Sequence, residues 1–380
     1  MPQKHQIIRG RRISRRAVTV VAAATALFLA QGTASATVPT FAPHAEYDTG
    51  ASPVAVRVAD FDEDGHLDQA VNNQADNTVS ILLGNGDGTF DAPVDYGVGS
   101  VPDGMETADF NEDGHVDVVS VNSDENTVSI LLGNGDGTFA THVDYGAGTY
   151  AVKVAAADLD KDGHVDLAVT NVLDSTVSIL LGNGDGTFDP HVDYGTGTWP
   201  YAITTGDFDK DSNPDLAVTN VGDNTVSVLL GNGDGTFATK VDHATGAQPG
   251  RVVTDDFDGD ADPDLAIANL EDGTASVLLG NGDGTFDPKA DYATDAGPLS
   301  MERADFDGDS ALDLITANAA GTVSVLPGQG DGTFGSAGTY YVAASAFAVA
   351  VGDFDEDTRP DVTTAVYEAD GVSVLLNTTQ

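Results

Sequence analysis

Short apolar runs rich in Val, Ile, Thr and Phe alternate along most of the chain with clusters of Asp, Asn and Gly. Runs of that composition, punctuated in that way, read as β-strands and turns. No stretch holds a helical 3.6-residue period of useful length. The pattern also repeats. Segments beginning at Asp60, Asp109, Asp158, Asp207, Asp256, Asp305 and Asp353 follow one another at steps of 49 residues and, at the last, 48. A period near 50 marks propellers and related arrays, in which each unit buries its apolar face against the next.

Each copy predicts four strands. The first precedes an acidic loop (Val54 to Ala59), and the second follows it (Leu167 to Thr170 in the third copy). The third is T-V-S-I-L-L (Thr78 to Leu83), and the fourth runs from Phe90 to Tyr96. Four antiparallel strands repeated seven times predict an all-β fold, a seven-bladed β-propeller. The ends support a closed ring. The seventh copy stops within its third strand, at Val372–Asn377, while residues 41–50 match the missing fourth strand, with Phe41 and Tyr47 spaced as Phe90 and Tyr96 are. The N-terminal segment is therefore expected to complete the last blade.

The acidic loop reads D-x-[DN]-x-D-x-x-x-D in every copy. The first two copies supply Asp60, Asp62, Asp64 and Asp68, then Asp109, Asn111, Asp113 and Asp117. The third and fourth supply Asp158, Asp160, Asp162 and Asp166, then Asp207, Asp209, Asp211 and Asp215. In the fifth and sixth stand Asp256, Asp258, Asp260 and Asp264, then Asp305, Asp307, Asp309 and Asp313, and in the seventh Asp353, Asp355, Asp357 and Asp361. Four carboxylates in nine residues repel one another unless a hard cation gathers them, and Ca²⁺ accepts such flexible oxygen sets better than Mg²⁺. Up to seven Ca²⁺ are expected, one per blade. The seventh loop position varies freely (His66, His115, His164, Asn213, Asp262, Ala311, Arg359), as suits a main-chain carbonyl ligand. Position six is Gly only in copies one to three, so looser loops are expected in copies four to seven.

These repeats resemble the FG-GAP, or VCBS, repeats of integrin α-subunit propellers and of many bacterial secreted proteins. The resemblance spans residues 41–380 and rests on A-D-F-D-x-D-G-x-x-D with its flanking strands. It implies that the loop joins the first and second strands of a blade and binds Ca²⁺, at the residues named above. It implies little about ligand, because such repeats occur in adhesins, lectin-like proteins and some polysaccharide lyases. The glycine-rich G-N-G-D-G-T-F copies read as hairpin turns between third and fourth strands, not as phosphate loops, because no helix follows them.

Residues 1–36 carry six Lys or Arg and no acid, then an apolar run from Ala17 to Ala30, then Ala34-Ser35-Ala36. That is the layout of a secretory signal peptide, of Sec or twin-arginine type, and it predicts bacterial export with a mature domain of residues 37–380. The remainder holds nine Lys or Arg against 61 Asp or Glu, a formal charge of −52. Nucleic acid and anionic lipid are excluded as partners by like-charge repulsion, and no later segment is apolar enough to span a membrane. With no cysteine in the chain, disulfides cannot hold the fold.

Alternation of strands puts the acidic loops and glycine turns on one face. The opposite face carries the second-to-third turns and the connectors between blades, which vary. Tyr150, Trp199 and Tyr201 fall there on blades three and four, and are the candidate contacts for a glycan or extracellular protein ligand. Catalysis has little support. There is no Cys, no Ser-His-Asp or H-E-x-x-H pattern, and the unrepeated Arg57, Lys153, Arg251 and Arg303 are scattered over several blades. The expectation is a monomeric binding or adhesion module. A calcium-dependent polysaccharide lyase and a purely structural module are the alternatives.

Overall fold

A computed structural model describes residues 37–380; the expected signal segment, residues 1–36, lies outside the described residues. The described chain forms seven four-stranded antiparallel sheets. Blade one is built from Pro53–Ala59, Asp68–Asn73, Thr78–Leu82 and Val94–Gly97, in that order from axis to rim. Blades two to six repeat it. Blade seven takes Ala346–Gly352, Asp361–Val366 and Gly371–Leu375 from the C-terminus and Ala45–Asp48 from the N-terminus. No helix among the described residues is long and apolar enough to cross a membrane.

The ring closes as the repeat phase requires. Ala45 opposes Val374, Asp48 opposes Gly371, and Phe41 bridges Asn377. Two aromatic contacts are reproduced at this seam. Elsewhere, except at Leu159 of blade three, the second loop residue of one blade is a Phe that meets the hairpin Phe of the next edge to face, as Phe61 meets Phe139 with centroids 5.6 Å apart. At the seam Phe41 stands in for the absent hairpin Phe and meets Phe306 at 6.1 Å. Likewise Tyr47 packs on Phe90 at 5.3 Å, as Tyr96 packs on Phe139.

Second strands are buried along their whole length, and the polar residues they carry are hydrogen-bonded, as Asn73 Nδ2 is to Ser80 Oγ at 2.8 Å. The core lies between blades, where the Val and Leu of second and third strands on one sheet face the next sheet. The fourth strand is shorter than expected. Phe90 pairs only with Gly84, and regular pairing resumes at Val94 opposite Ile81. Residues 91–93 thus oppose only Leu82 and Leu83, which is a β-bulge. Proline at position 93, 190 or 288 fits this gap in blades one, three and five, where no ladder N–H is needed, and blades two, four and six keep the same break without one.

Candidate metal centres and binding face

All seven acidic loops share one hydrogen-bond scheme. The first Asp accepts from the sixth residue's N–H, as Asp60 does from Gly65 at 3.0 Å and Asp305 from Ser310 at 2.9 Å. The third residue accepts from the fifth, and the fifth from the seventh (Asp160 from Asp162, 3.1 Å; Asp162 from His164, 2.9 Å). The ninth Asp is fully buried and accepts twice. Asp68 Oδ2 takes the Phe61 N–H at 2.7 Å, and Oδ1 takes the Gly84 N–H at 2.7 Å.

The loops reach this geometry through two left-handed residues, at positions four and six. Where position six lacks Gly, Ser212, Ala261, Ser310 and Thr358 still adopt φ of 68–74°. Their N–H groups still reach the first Asp, so the looser loops expected in copies four to seven do not appear in the backbone. No neighbour lies within 4 Å of the side-chain position at Gly65, and the cost of a side chain there is local strain alone.

Carboxylate oxygens converge in these loops. Asp60, Asp62 and Asp68 bring one oxygen each within 4.8 Å of one another, as do the corresponding residues of blades three, four and six. In blade five the trio is Asp256, Asp258 and Asp260. Asp60, Asp158 and Asp207 each hold a buried Oδ1 with no hydrogen-bond partner. A buried, unpaired carboxylate oxygen facing other carboxylates costs free energy unless a cation meets it. The all-oxygen donor set therefore fits a hard metal ion. Burial pushes the ninth Asp up to about 6 in six loops and Asp313 to about 7, against the pull of its two N–H donors. Three loops depart from the rest. In blade two Asn111 donates to Asp113 at 2.9 Å, in blade four Asn213 Nδ2 donates to Asp211 at 2.7 Å, and in blade seven the Arg359 guanidinium sits on Asp357.

Each loop is also clasped by the next blade. The third hairpin glycine donates to the loop's second carbonyl, as Gly137 does to Phe61 at 3.0 Å and Gly186 to Phe110 at 3.0 Å. That explains G-N-G-D-G-T-F beyond its turn geometry. Its Asp is spent within the turn, where Asp87 accepts from the Thr89 N–H and hydroxyl. Blade seven has no hairpin, and Asn377 Nδ2 donates to Phe306 O at 2.9 Å instead. Side chains add a second link, from position four of one loop to position seven of the next. Glu63 meets His115 at 2.5 Å, Glu356 meets His66 at 2.5 Å, Glu112 meets His164, Lys161 meets Asn213 at 3.1 Å, and Lys210 meets Asp262. Gly259 and Gly308 leave the last two junctions without one.

The family pattern of the FG-GAP-like repeat matches residues 60–120, 109–169, 166–218, 211–267, 256–316 and 305–364. The chain belongs to the FG-GAP-like repeat family. No curated protein matches this FG-GAP propeller by sequence. Among solved structures, it is similar to BBS1N in complex with ARL6DN, with 12% identity and a TM-score of 0.64 over 90% of this chain and 98% of that one. It is similar to the BP39L lectin from Burkholderia pseudomallei, at 14% identity and a TM-score of 0.62 over 87% and 96%. A streptogramin B lyase aligns at 14% identity and a TM-score of 0.61 over 88% and 97%. At these identities the likeness is one of fold.

The other face of the FG-GAP propeller is different in kind. Connectors and second-to-third turns meet there, as when Thr196 N–H donates to Ser175 O at 3.0 Å. Trp199 is 41% exposed, which separates it from the core, and Leu173 of the neighbouring turn is 43% exposed. Tyr150 and Tyr201 are half-buried. The Lys153 ammonium lies 5.3 Å from the Tyr201 ring centroid and 2.6 Å from Asp103. Burial, with Asp103 and Tyr150 close by, pushes the Tyr201 hydroxyl well above its ordinary value. Tyr150 and Tyr201 thus lie with Asp103 and Lys153, drawn from blades two, three and four, and Trp199 stands exposed on the same face.

The seven turns carry nine exposed acids: Asp76, Asp124, Glu125, Asp174, Asp223, Glu271, Asp272, Glu368 and Asp370. Neither turns nor connectors contain Lys or Arg. Along the axis the four cations that looked scattered are paired across blades. Arg57 meets Glu106 at 2.5 Å, Arg251 meets Glu302 at 3.0 Å, and Arg303 meets Asp255 at 3.1 Å. Arg57 and Glu106 hold the same repeat position in adjacent blades, a spacing the sequence displays.

Proposed function

We propose that this FG-GAP propeller is an exported, monomeric binding module that carries Ca²⁺ in its acidic loops and takes a glycan or protein ligand on the connector face. Asp60, Asp62, Asp64 and Asp68, with their equivalents in the other blades, hold the ions. The ions neutralise the densest acidic points and tie each loop to the hairpin of the next blade. Calcium's part is thus to stiffen the ring, and the connector face does the binding. Supporting a binding role, a lectin and a propeller seen with a protein partner share the fold.

The observation that carries the ligand site is Trp199, exposed on the connector face that also carries Tyr150 and Tyr201, at a position where other repeats have Val101 or Gln248. Aromatic rings partly open to water, with a few polar groups beside them, suit sugars and protein anchors alike. The test is a glycan array and a pull-down in calcium buffer, wild type against Trp199→Ala. Loss of binding with an unchanged melting temperature supports the reading; unchanged binding refutes it.

A further inference from the structure

The connector face has chemistry specific enough to choose among ligands. Resting on the proposal that this face binds, we infer that its ligand is a cationic segment of a partner protein, an extended stretch of Lys or Arg around one apolar or aromatic side chain, seated at Trp199.

The apolar part is local. Leu173 and Trp199 are exposed on adjoining blades, and Val172 and Val221, which donate their N–H groups to Tyr150 O and Trp199 O, continue the patch. Tyr150 and Trp199 share a connector position at φ 59° and 56°, a conformation that Ser52, Val101 and Gln248 also hold in their blades, so what sets blades three and four apart is the size of the aromatic side chains.

The charged part surrounds it. All nine exposed turn acids lie on this face, and its turns and connectors offer no cation. Lys153, the cation beside the aromatics, is engaged by Asp103 and the Tyr201 ring. An anionic ligand is repelled, and a neutral sugar can hydrogen-bond to the acids but gains no long-range attraction from them. A basic segment is steered by them, and its cations also find the faces of the aromatic rings. On the opposite face the converging carboxylates are committed to metal and to one another, so the field there is offset when ions bind.

Trp199 is the only tryptophan of the chain, so its fluorescence reports this one place. The probe is a short synthetic peptide alternating Lys and Ala around a central Phe, titrated in calcium buffer. Its Glu-for-Lys counterpart and a neutral glycan array are the comparisons. The Lys peptide should shift Trp199 emission, and its affinity should fall roughly tenfold or more as salt is raised across the physiological range. By calorimetry, Trp199→Ala should abolish binding, and Glu125→Gln with Glu271→Gln should weaken it. Asp87→Asn, on the metal face, should leave it alone. Peptide binding that ignores Trp199→Ala would overturn the inference, since bulk acidity would then explain it. A neutral glycan that shifts Trp199 emission while the Lys peptide does not would also overturn it, yet leave the binding-face reading standing. Binding by neither sinks both.

Discussion

Asn377 donates its side-chain amide to the Phe306 carbonyl at 2.9 Å, across the seam where the two ends of the chain meet. At the six other junctions a hairpin glycine N–H meets the equivalent carbonyl. Asn377 also donates to Pro360 O at 3.2 Å, and its own N–H reaches Asp361 at 2.6 Å. Asn377→Ala should cost about 1–3 kcal/mol, the range for stranding buried acceptors. Phe41→Ala, which empties the hairpin-Phe position but leaves the strand, should cost about 2–3 kcal/mol, because Phe41 is only partly buried. Thermal melts of both variants check this. A melt unmoved by either would mean the seam does not hold the ring.

Calcium should be the larger effect. At free calcium about ten times its Kd, each site contributes about 1.4 kcal/mol, and seven independent sites about 10 kcal/mol. Chelation should therefore lower the melting temperature by tens of degrees or unfold the protein. Magnesium at equal concentration should restore little. Loop seven, where Arg359 already sits on Asp357, should load last. Calorimetric titration counts the sites, and a flat trace would end the calcium reading.

The ninth-position carboxyls give the metal-free protein an unusual pH response. Their folded values, about 6, lie above the unfolded value of about 3.9, so the folded state holds protons that the unfolded state releases. Their stabilising effect is complete below the unfolded value and is lost as pH rises through about 6. With calcium present the ion replaces the proton, and acidification through the same window should release it and destabilise the fold. Melts at about pH 4.5 and 7.5, with and without chelator, should thus change in opposite directions. Parallel shifts would disprove the assignment.

Ser310 offers a separate test of loop strain. Its φ of 74° suits Gly, and its N–H bond to Asp305 does not depend on a side chain. Ser310→Gly should stabilise by about 0.5–1 kcal/mol, the local strain relieved less the entropy that Gly gains in the unfolded chain. The reverse change, Gly65→Ala, should destabilise by a similar amount. Denaturant melts resolve both.

On the axis, Glu106→Gln should cost about 2 kcal/mol, less than for a fully buried pair because both partners keep some solvent. Replacing Arg57 and Glu106 together with Met should recover most of it. A double variant worse than the sum of the singles would argue that the axial charges position something else.

Much of this was legible in the sequence, and the reason is repetition. Seven copies of one segment average out local ambiguity, so the fold, its phase and the closing strand could be read from Phe41, Tyr47 and the truncated seventh copy. The acidic loops were legible for the same reason, although the unpartnered Asp60 Oδ1 shows only in the fold. What was missed lies between copies. Position four of one loop and position seven of the next are 52 residues apart, one repeat plus three, as in Glu63 with His115 and Lys210 with Asp262. Reading each copy alone hides that spacing. The fourth strand was drawn too long because a bulge changes neither composition nor period. Trp199 could not be placed inside or outside by pattern, since a single unrepeated residue has no copies to compare.

The seam has one more consequence. Strand Ala45–Asp48 is joined covalently to blade one but hydrogen-bonded to blade seven, so nothing in its contacts records which molecule it came from. A second copy can lend the same strand in trans, with the same pairs from Ala45–Val374 to Asp48–Gly371. Two rings that exchange these strands keep the same ladder and give up only contacts of the connector at residues 49–52, such as Ser52 N–H to Asp370, and concentration during folding decides between them. The joint that makes one chain a circle is therefore also the natural point of domain swapping.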